Sequence, residues 1–137
     1  MDDGDLKNKL INVLGRGPQA ILQERENGER AKQWIGEQGR PAFDRLQRIL
    51  NEMGVEDAAN RWDDLTGAMS FGRAGNEFTY LINLTVSPKG ITGTTHIRAP
   101  GQEERTHGPL KDIVNWTEEQ IVEDFVKGFD SWHPERR

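Results

Sequence analysis

The sequence predicts an α+β fold with two layers. N-terminal helices come first, a three-stranded antiparallel meander follows, and a C-terminal helix packs on the apolar face of that meander. The first supporting observation is a period of two over residues 77–86, which puts five apolar side chains on one face and mostly polar ones on the other, followed by two turn signals. The second is an apolar stripe at helical spacing over residues 121–132. A single sheet layer has to bury its apolar face, so we expect the last helix to cover it.

The chain begins with two short predicted helices. Asp5 is the expected N-cap of the first helix, and Pro18 is well placed to begin the second. The first helix has one apolar face, which we predict to contact a partner or a second copy of the chain. The alternative is that this face packs onto the domain itself. That face consists of Leu6, Leu10, Ile11 and Leu14.

Residues 25–40 are poor in apolar side chains, with Trp34 and Ile35 as the strong hydrophobes. So little apolar surface does not by itself offset the entropy lost on ordering. The stretch therefore predicts either a weak helix packed through these two residues or a linker. We accordingly divide the chain into an N-terminal helical segment, residues 1–40, and an α+β domain, residues 41–137.

The first half of this α+β domain predicts two helices and a loop. Residues 41–53 begin with Pro41 and repeat apolar side chains at helical spacing, which indicates a helix. Residues 55–65 predict another short helix that buries Trp62. Residues 66–76 contain several glycines and predict a loop that leads into the sheet.

The meander and the last helix have the clearest signals. Ser87-Pro88-Lys89-Gly90 has the composition of a turn between the first two strands, and Ala99-Pro100-Gly101-Gln102 that of a turn between the second and third. Thr117 and Gln120 have the spacing of a capping box, which predicts the start of the final helix.

Composition and charge exclude several classes of function. The chain carries 23 acidic and 18 basic residues, for a net charge of -5, and this balance does not favour nucleic acid as a partner. It has no cysteine, which excludes disulfides, thiolate metal ligands and cysteine nucleophiles. No apolar run has the form of a secretory signal or a membrane span, so we expect a cytoplasmic protein.

The polar face of the meander is one candidate binding site. With Pro100 and Gly101 as the central turn residues, three pairs of polar side chains face one another on one side of the sheet. These pairs are Thr94 with His107, His96 with Arg105, and Arg98 with Glu103. The alternative is a solvated face whose charges discourage edge-to-edge pairing.

Histidine chemistry on that face is a sharper version of the same hypothesis. His96 and His107 would be diagonal neighbours, near enough to share a ligand. However, no close pair of ligand-forming residues has the spacing typical of a zinc site, and no nucleophile elbow is present. We expect no metal, no cofactor and no catalytic residues.

Two of the four tryptophans, Trp34 and Trp132, are candidate anchors in an interface, because tryptophan is frequent at binding hot spots. The alternative is that both cover the edges of a small core.

These observations favour a small, non-enzymatic protein-binding module, of an accessory, adaptor or inhibitor-like kind. Its expected partner is another protein or a second copy of itself, and no membrane. One alternative is a nucleic-acid-binding protein that uses Tyr80, His96, Arg98 and Arg105 on the sheet. A second alternative is a small enzyme or metalloprotein centred on His96 and His107.

Overall fold

The chain folds into a five-stranded antiparallel sheet with helices packed on one face, in a computed structural model that describes residues 1–15, 17–72 and 76–132. The α+β class predicted from the sequence is confirmed. The helices are α1 (Asp3–Leu14), α2 (Pro18–Trp34), α3 (Arg40–Glu52) and α4 (Glu118–Trp132). The strands are β1 (Ala59–Asp63), β2 (Thr66–Phe71), β3 (Phe78–Ser87), β4 (Gly90–Arg98) and β5 (Arg105–Leu110). They are hydrogen-bonded in chain order from β1 to β5.

The sheet has two more strands than the sequence predicted. Residues 55–65 were predicted as a helix but contain β1, and residues 66–76 were predicted as a loop but contain β2. Residues 73–75 of that predicted loop lie outside the described residues. In the β1–β2 pair Trp62 lies opposite Gly67. A Cβ on Gly67 would approach Cε2 of the Trp62 ring to 2.4 Å. The glycine that suggested a loop is therefore required within a strand, because the indole occupies the space of a side chain.

Helix α2 continues without a break into α3. A π-helical turn over Ile35–Gly39 joins them. It ends two residues before Pro41, which lacks the N–H that would extend the α-helical hydrogen-bond ladder. The weak-helix alternative for residues 25–40 is thus confirmed. Ala31, Trp34 and Ile35 pack in the same core as α3 and α4, so core residues begin before the division proposed at residue 40.

The core lies between the sheet and the helices α2, α3 and α4. Tyr80 and Ile82 of β3 are fully buried on the covered face, and so is Phe43 of α3. From α4, Phe125 packs edge-on against Phe78, with ring centroids 5.7 Å apart. This packing confirms that the apolar face of the meander lies against the last helix.

Of the two side-chain caps that the sequence predicted, one is present and one is not. The capping box of α4 is present: the Gln120 N–H donates to Thr117 Oγ1 at 3.2 Å, and the Thr117 N–H donates to Gln120 Oε1 at 2.8 Å. The cap predicted for α1 was wrong. Asp2, not Asp5, is its N-cap, since Asp2 Oδ1 accepts the Asp5 N–H at 2.8 Å. Among the helices described, none combines the length and apolar character needed to cross a bilayer.

Candidate functional site

The six polar side chains that we predicted to share one face of β4 and β5 do not all lie on the same face. Across β4 and β5, His96 lies opposite Thr106, and Ile97 lies opposite Arg105. The connection from Arg98 to the start of β5 is one residue longer than a tight turn on Pro100 and Gly101 would allow. Because side chains alternate along a strand, a shift of one residue moves every side chain of β5 to the other face.

Arg105 and His107 therefore lie on the helix-covered side. They line a cavity of about 270 Å³ between β5 and α4, together with Asp124 and Lys127. Arg105 Nη1 donates to Ser131 Oγ of α4 at 2.6 Å. Arg105 thus joins the start of β5 to α4. The sheet itself separates Arg105 and His107 from the opposite face.

Thr94, His96 and Arg98 do lie together on the uncovered face. Both ring nitrogens of His96 have hydroxyl partners: Nε2 is 2.9 Å from Thr94 Oγ1, and Nδ1 is 3.1 Å from Thr106 Oγ1. At the end of β4, Arg98 Nε donates to Oε1 of Glu104, the residue before β5. This hydrogen bond lowers the pKa of the exposed Glu104 carboxyl below its usual range. The polar side chains of this region are thus largely paired with one another.

This arrangement bears on both alternative functions. His96 and His107 lie on opposite faces of the sheet, so they do not share a ligand. Within residues 1–15, 17–72 and 76–132, no group of three or more His, Asp or Glu side chains is placed to hold a metal ion. For nucleic acid, Tyr80 has no exposed surface and Arg105 lies on the covered side, so the four residues proposed for that role do not form one surface.

The two candidate tryptophan anchors have different outcomes. Trp34 is 5% exposed, and its Nε1 donates to the Trp116 carbonyl oxygen at 2.8 Å. Its ring packs edge-on against Trp62, with centroids 6.3 Å apart. Trp34 therefore belongs to the core, and it is not a surface anchor. The side chain of Trp132 lies outside the described residues.

The apolar face of α1 is exposed. No residue of α1 is buried. Leu6, Leu10 and Leu14 are 45%, 48% and 54% exposed, and Ile11 is half-buried. Ile21 and Leu22, at the start of α2, are also exposed. Large aliphatic side chains are scattered singly on most protein surfaces, whereas these are contiguous, which is typical of an interaction site.

Helices α1 and α2 enclose a shallow groove between these side chains. We call it the N-terminal groove. Its volume is about 320 Å³ and its lining is mostly apolar: Leu10, Ile11, Leu14, Pro18, Ile21 and Leu22. Lys7 and Arg25 complete the lining as its two charged members. Gly15 makes the reversal between the helices possible, because it adopts a left-handed conformation with φ of 72° and its N–H donates to the Ile11 carbonyl.

Sequence reasoning found the apolar residues of this groove but missed its two charged residues. Lys7 and Arg25 are 18 positions apart in the sequence numbering, and neither stands in a motif. The available signal was the Gly-x-Gly-Pro break at residues 15–18, which permits a close reversal of two helices. Comparison of the chain with protein-family models, with curated proteins and with solved structures found no match.

Proposed function

We propose that this chain is a non-enzymatic protein-binding module and that the N-terminal groove is its contact surface. The observation that carries the proposal is an amphipathic helix, α1, without a single buried residue. Its leucines lie beside the exposed Ile21 and Leu22 of α2. Helices of this kind gain stability mainly by packing their apolar face, and in α1 that face is available to another chain.

We assign a second copy of this chain as the occupant of the groove. The groove has an apolar floor with cationic side chains from Lys7 and Arg25. A complementary ligand is an amphipathic helix that has an acidic end, and α1 itself is such a helix. Its start carries Asp2, Asp3 and Asp5, followed by the leucines. A two-fold arrangement would let each copy place its acidic end near the basic residues of the other.

The energetics favour a weak, concentration-dependent pair. Full burial of a large aliphatic side chain contributes about 1.5–3 kcal/mol, so covering the exposed half of one contributes roughly 1 kcal/mol. Six such side chains on each copy give roughly 12 kcal/mol for a symmetric pair. The loss of translational and rotational freedom opposes association by about 4–15 kcal/mol. The two amounts are comparable, so a dimer is expected to form at high protein concentration and to dissociate on dilution.

Light scattering coupled to size-exclusion chromatography tests this assignment. The natural chain should show a mass that rises toward the dimer as concentration increases. The double variant Leu10→Glu/Leu14→Glu should stay monomeric, because it places two charges on the groove. Asn8→Glu/Asn12→Glu is the matched control, since it adds the same charge to exposed positions on the opposite side of α1.

Two results would contradict the assignment of a second copy. One is a natural chain that stays monomeric at every concentration, and the other is a Leu10→Glu/Leu14→Glu variant that still dimerises. If the natural chain is monomeric, a protein that differs from this one would be the remaining occupant. A cross-linking reagent attached to a cysteine introduced at position 10 would then identify the contact with a purified candidate.

A further inference from the structure

A second concave surface involves the C-terminal half of α2, and it differs in chemistry from the N-terminal groove. It is a cleft of about 560 Å³ between α2, the β3–β4 turn, β4 and the segment after β5. We call it the cationic cleft. Its volume is within the range of about 300–1,000 Å³ that is usual for small-molecule sites. Ile91, which is 6% exposed, contributes apolar surface to its lining.

Three positive side chains line the cationic cleft. Arg30 comes from α2, Lys89 from the β3–β4 turn, and Lys111 from the segment that follows β5. Among the described residues, the lining of this cleft includes no aspartate or glutamate. The chain as a whole has a net charge of -5, so this concentration of positive charge runs against its average composition. Charges of one sign around a concave surface raise the local concentration of oppositely charged ligands.

The segments that carry these charges are fixed in place by the fold. Buried Asn27 of α2 donates from Nδ2 to the Ser87 carbonyl oxygen at 2.9 Å, which holds the β3–β4 turn against α2. The Lys89 N–H donates to Ser87 Oγ at 3.2 Å. On the other wall, a Cβ on Gly93 would lie 2.8 Å from Ile113 Cγ1, so β4 packs closely against the segment after Lys111. The charges therefore face a cleft whose backbone is already ordered, which reduces the entropy lost when a ligand binds.

We propose that the cationic cleft binds a small phosphate-bearing ligand. Three cations suit a group with several negative charges better than they suit a single carboxylate. The planar guanidinium of Arg30 matches two phosphate oxygens, and the ammonium groups of the lysines act as point charges. Thr92 and Asn115 add neutral hydrogen-bonding groups to the lining.

Two sources of this phosphate chemistry are consistent with the cleft. One is a free polyphosphate. The other is a nucleotide, because an adjoining cavity of about 250 Å³ shares Arg30 and Asn115 with the cationic cleft and is lined by the half-buried Trp116. A planar ring attached to the phosphates would lie in that cavity, where an aromatic side chain offers a stacking surface.

Isothermal titration calorimetry with pyrophosphate and with ADP tests the proposal on the full chain. We expect binding at low ionic strength that weakens as salt is added. The variant Lys89→Gln/Lys111→Gln should weaken binding at least about tenfold, since it removes two charges from the cleft. The matched control is Lys9→Gln/Lys32→Gln, which removes the same charge from exposed positions outside the cleft and should bind like the natural chain.

The two ligands distinguish the sources. Tighter binding of ADP than of pyrophosphate would indicate a nucleotide, and equal binding would indicate a free polyphosphate; either supports the proposal. Absence of binding to both ligands would overturn it. So would binding that is equally strong in Lys89→Gln/Lys111→Gln. Thermal melts of both double variants verify that they are folded, and self-association through α1 is measured separately, so a failure of one proposal leaves the other intact.

Discussion

The helix-covered sheet and the N-terminal groove are built from similar side chains but differ in what those side chains contact. In the sheet, Ile82 has no exposed surface, and it lies between neighbouring strands and the helices above them. In the groove, Leu10 and Leu14 remain about half exposed. The difference shows that an apolar stripe specifies burial only when the fold supplies a facing element. Where the fold supplies none, the same stripe stays exposed, and we propose that in α1 it is a surface for another molecule.

This comparison separates the residues that maintain the fold from those that are available for binding. Substitutions in the covered sheet should change the free energy of unfolding whether or not a partner is present. Substitutions in the groove should change association and leave the unfolding of the single chain nearly unaltered. The three predictions below test that separation, beginning with the largest expected effect.

Gly67→Ala should be the most destabilising of these changes. The added methyl group would lie 2.4 Å from the Trp62 ring, which is itself stacked on Phe43 with centroids 5.2 Å apart. The ring is rigid and packed on both sides, so it moves away from the methyl group only by disturbing its neighbours. We therefore expect a loss of about 3 kcal/mol in the free energy of unfolding. Urea denaturation followed by tryptophan fluorescence measures it.

The control for this variant is Gly28→Ala. Gly28 lies inside α2, and a Cβ there would meet no atom within 4 Å. Alanine is the better helix former, so this change should stabilise the chain by about 0.5–1 kcal/mol. If Gly67→Ala lowered the free energy of unfolding no more than Gly28→Ala, the close packing of Trp62 on β2 would be incorrect.

Tyr80→Phe should have an intermediate effect that depends on pH. The Tyr80 hydroxyl donates to Asp124 Oδ2 at 2.6 Å, and the ring has no exposed surface. Loss of a hydrogen bond to a carboxylate should cost about 1–2 kcal/mol at neutral pH. Burial raises the pKa of Tyr80 well above its ordinary value, and the negative charge of Asp124 raises it further.

The sign of the pH dependence follows from that raised pKa. The unfolded chain loses the tyrosine proton near pH 10, whereas the folded chain retains it to higher pH. The stabilising contribution is therefore complete below about pH 10 and is lost as pH rises through the pKa of the folded state. The stability difference between the natural chain and Tyr80→Phe should narrow above about pH 10. Tyr80 is the single tyrosine of the chain, so the phenolate absorbance reports its titration directly. A pKa of Tyr80 in the ordinary range for tyrosine would contradict the prediction.

The two regions also differ in how much the sequence could predict. The α+β class, the β3–β4 turn and the cap of α4 follow from local patterns and were predicted correctly. Strands β1 and β2 were missed because their signal depends on a contact between Trp62 and Gly67, and a contact across strands is not visible in a local window. The register of β5 was missed for a related reason. One extra residue in a connection changes which face Arg105 and His107 occupy, and the composition of the turn does not determine its length.

For the candidate sites, the sequence was informative about α1 and uninformative about the cationic cleft. The leucines of α1 repeat at helical spacing, so their common face could be predicted. Arg30, Lys89 and Lys111 are spread over three segments, and only the folded chain brings them to one cleft. For Trp34 the sequence left two interpretations open, an exposed anchor and a position at the edge of the core. The buried face of α2 carries it into the core.

Leu10→Ala/Leu14→Ala should have the smallest effect on the stability of the single chain, and it gives the most direct test of the comparison. Truncating a buried residue such as Ile82 to alanine costs about 2–5 kcal/mol, because it removes apolar contacts and leaves a cavity. Neither leucine is buried in α1, so the double truncation should change the free energy of unfolding by less than about 0.5 kcal/mol. Dilute protein is needed for this measurement, since a dimer adds stability by mass action. As concentration is raised, the melting temperature of the natural chain should increase and that of the variant should not. A large destabilisation of the dilute variant would mean that α1 belongs to the fold of the single chain. Its leucines would then pack against residues of the same chain, and the assignment of a second copy as their partner would be wrong.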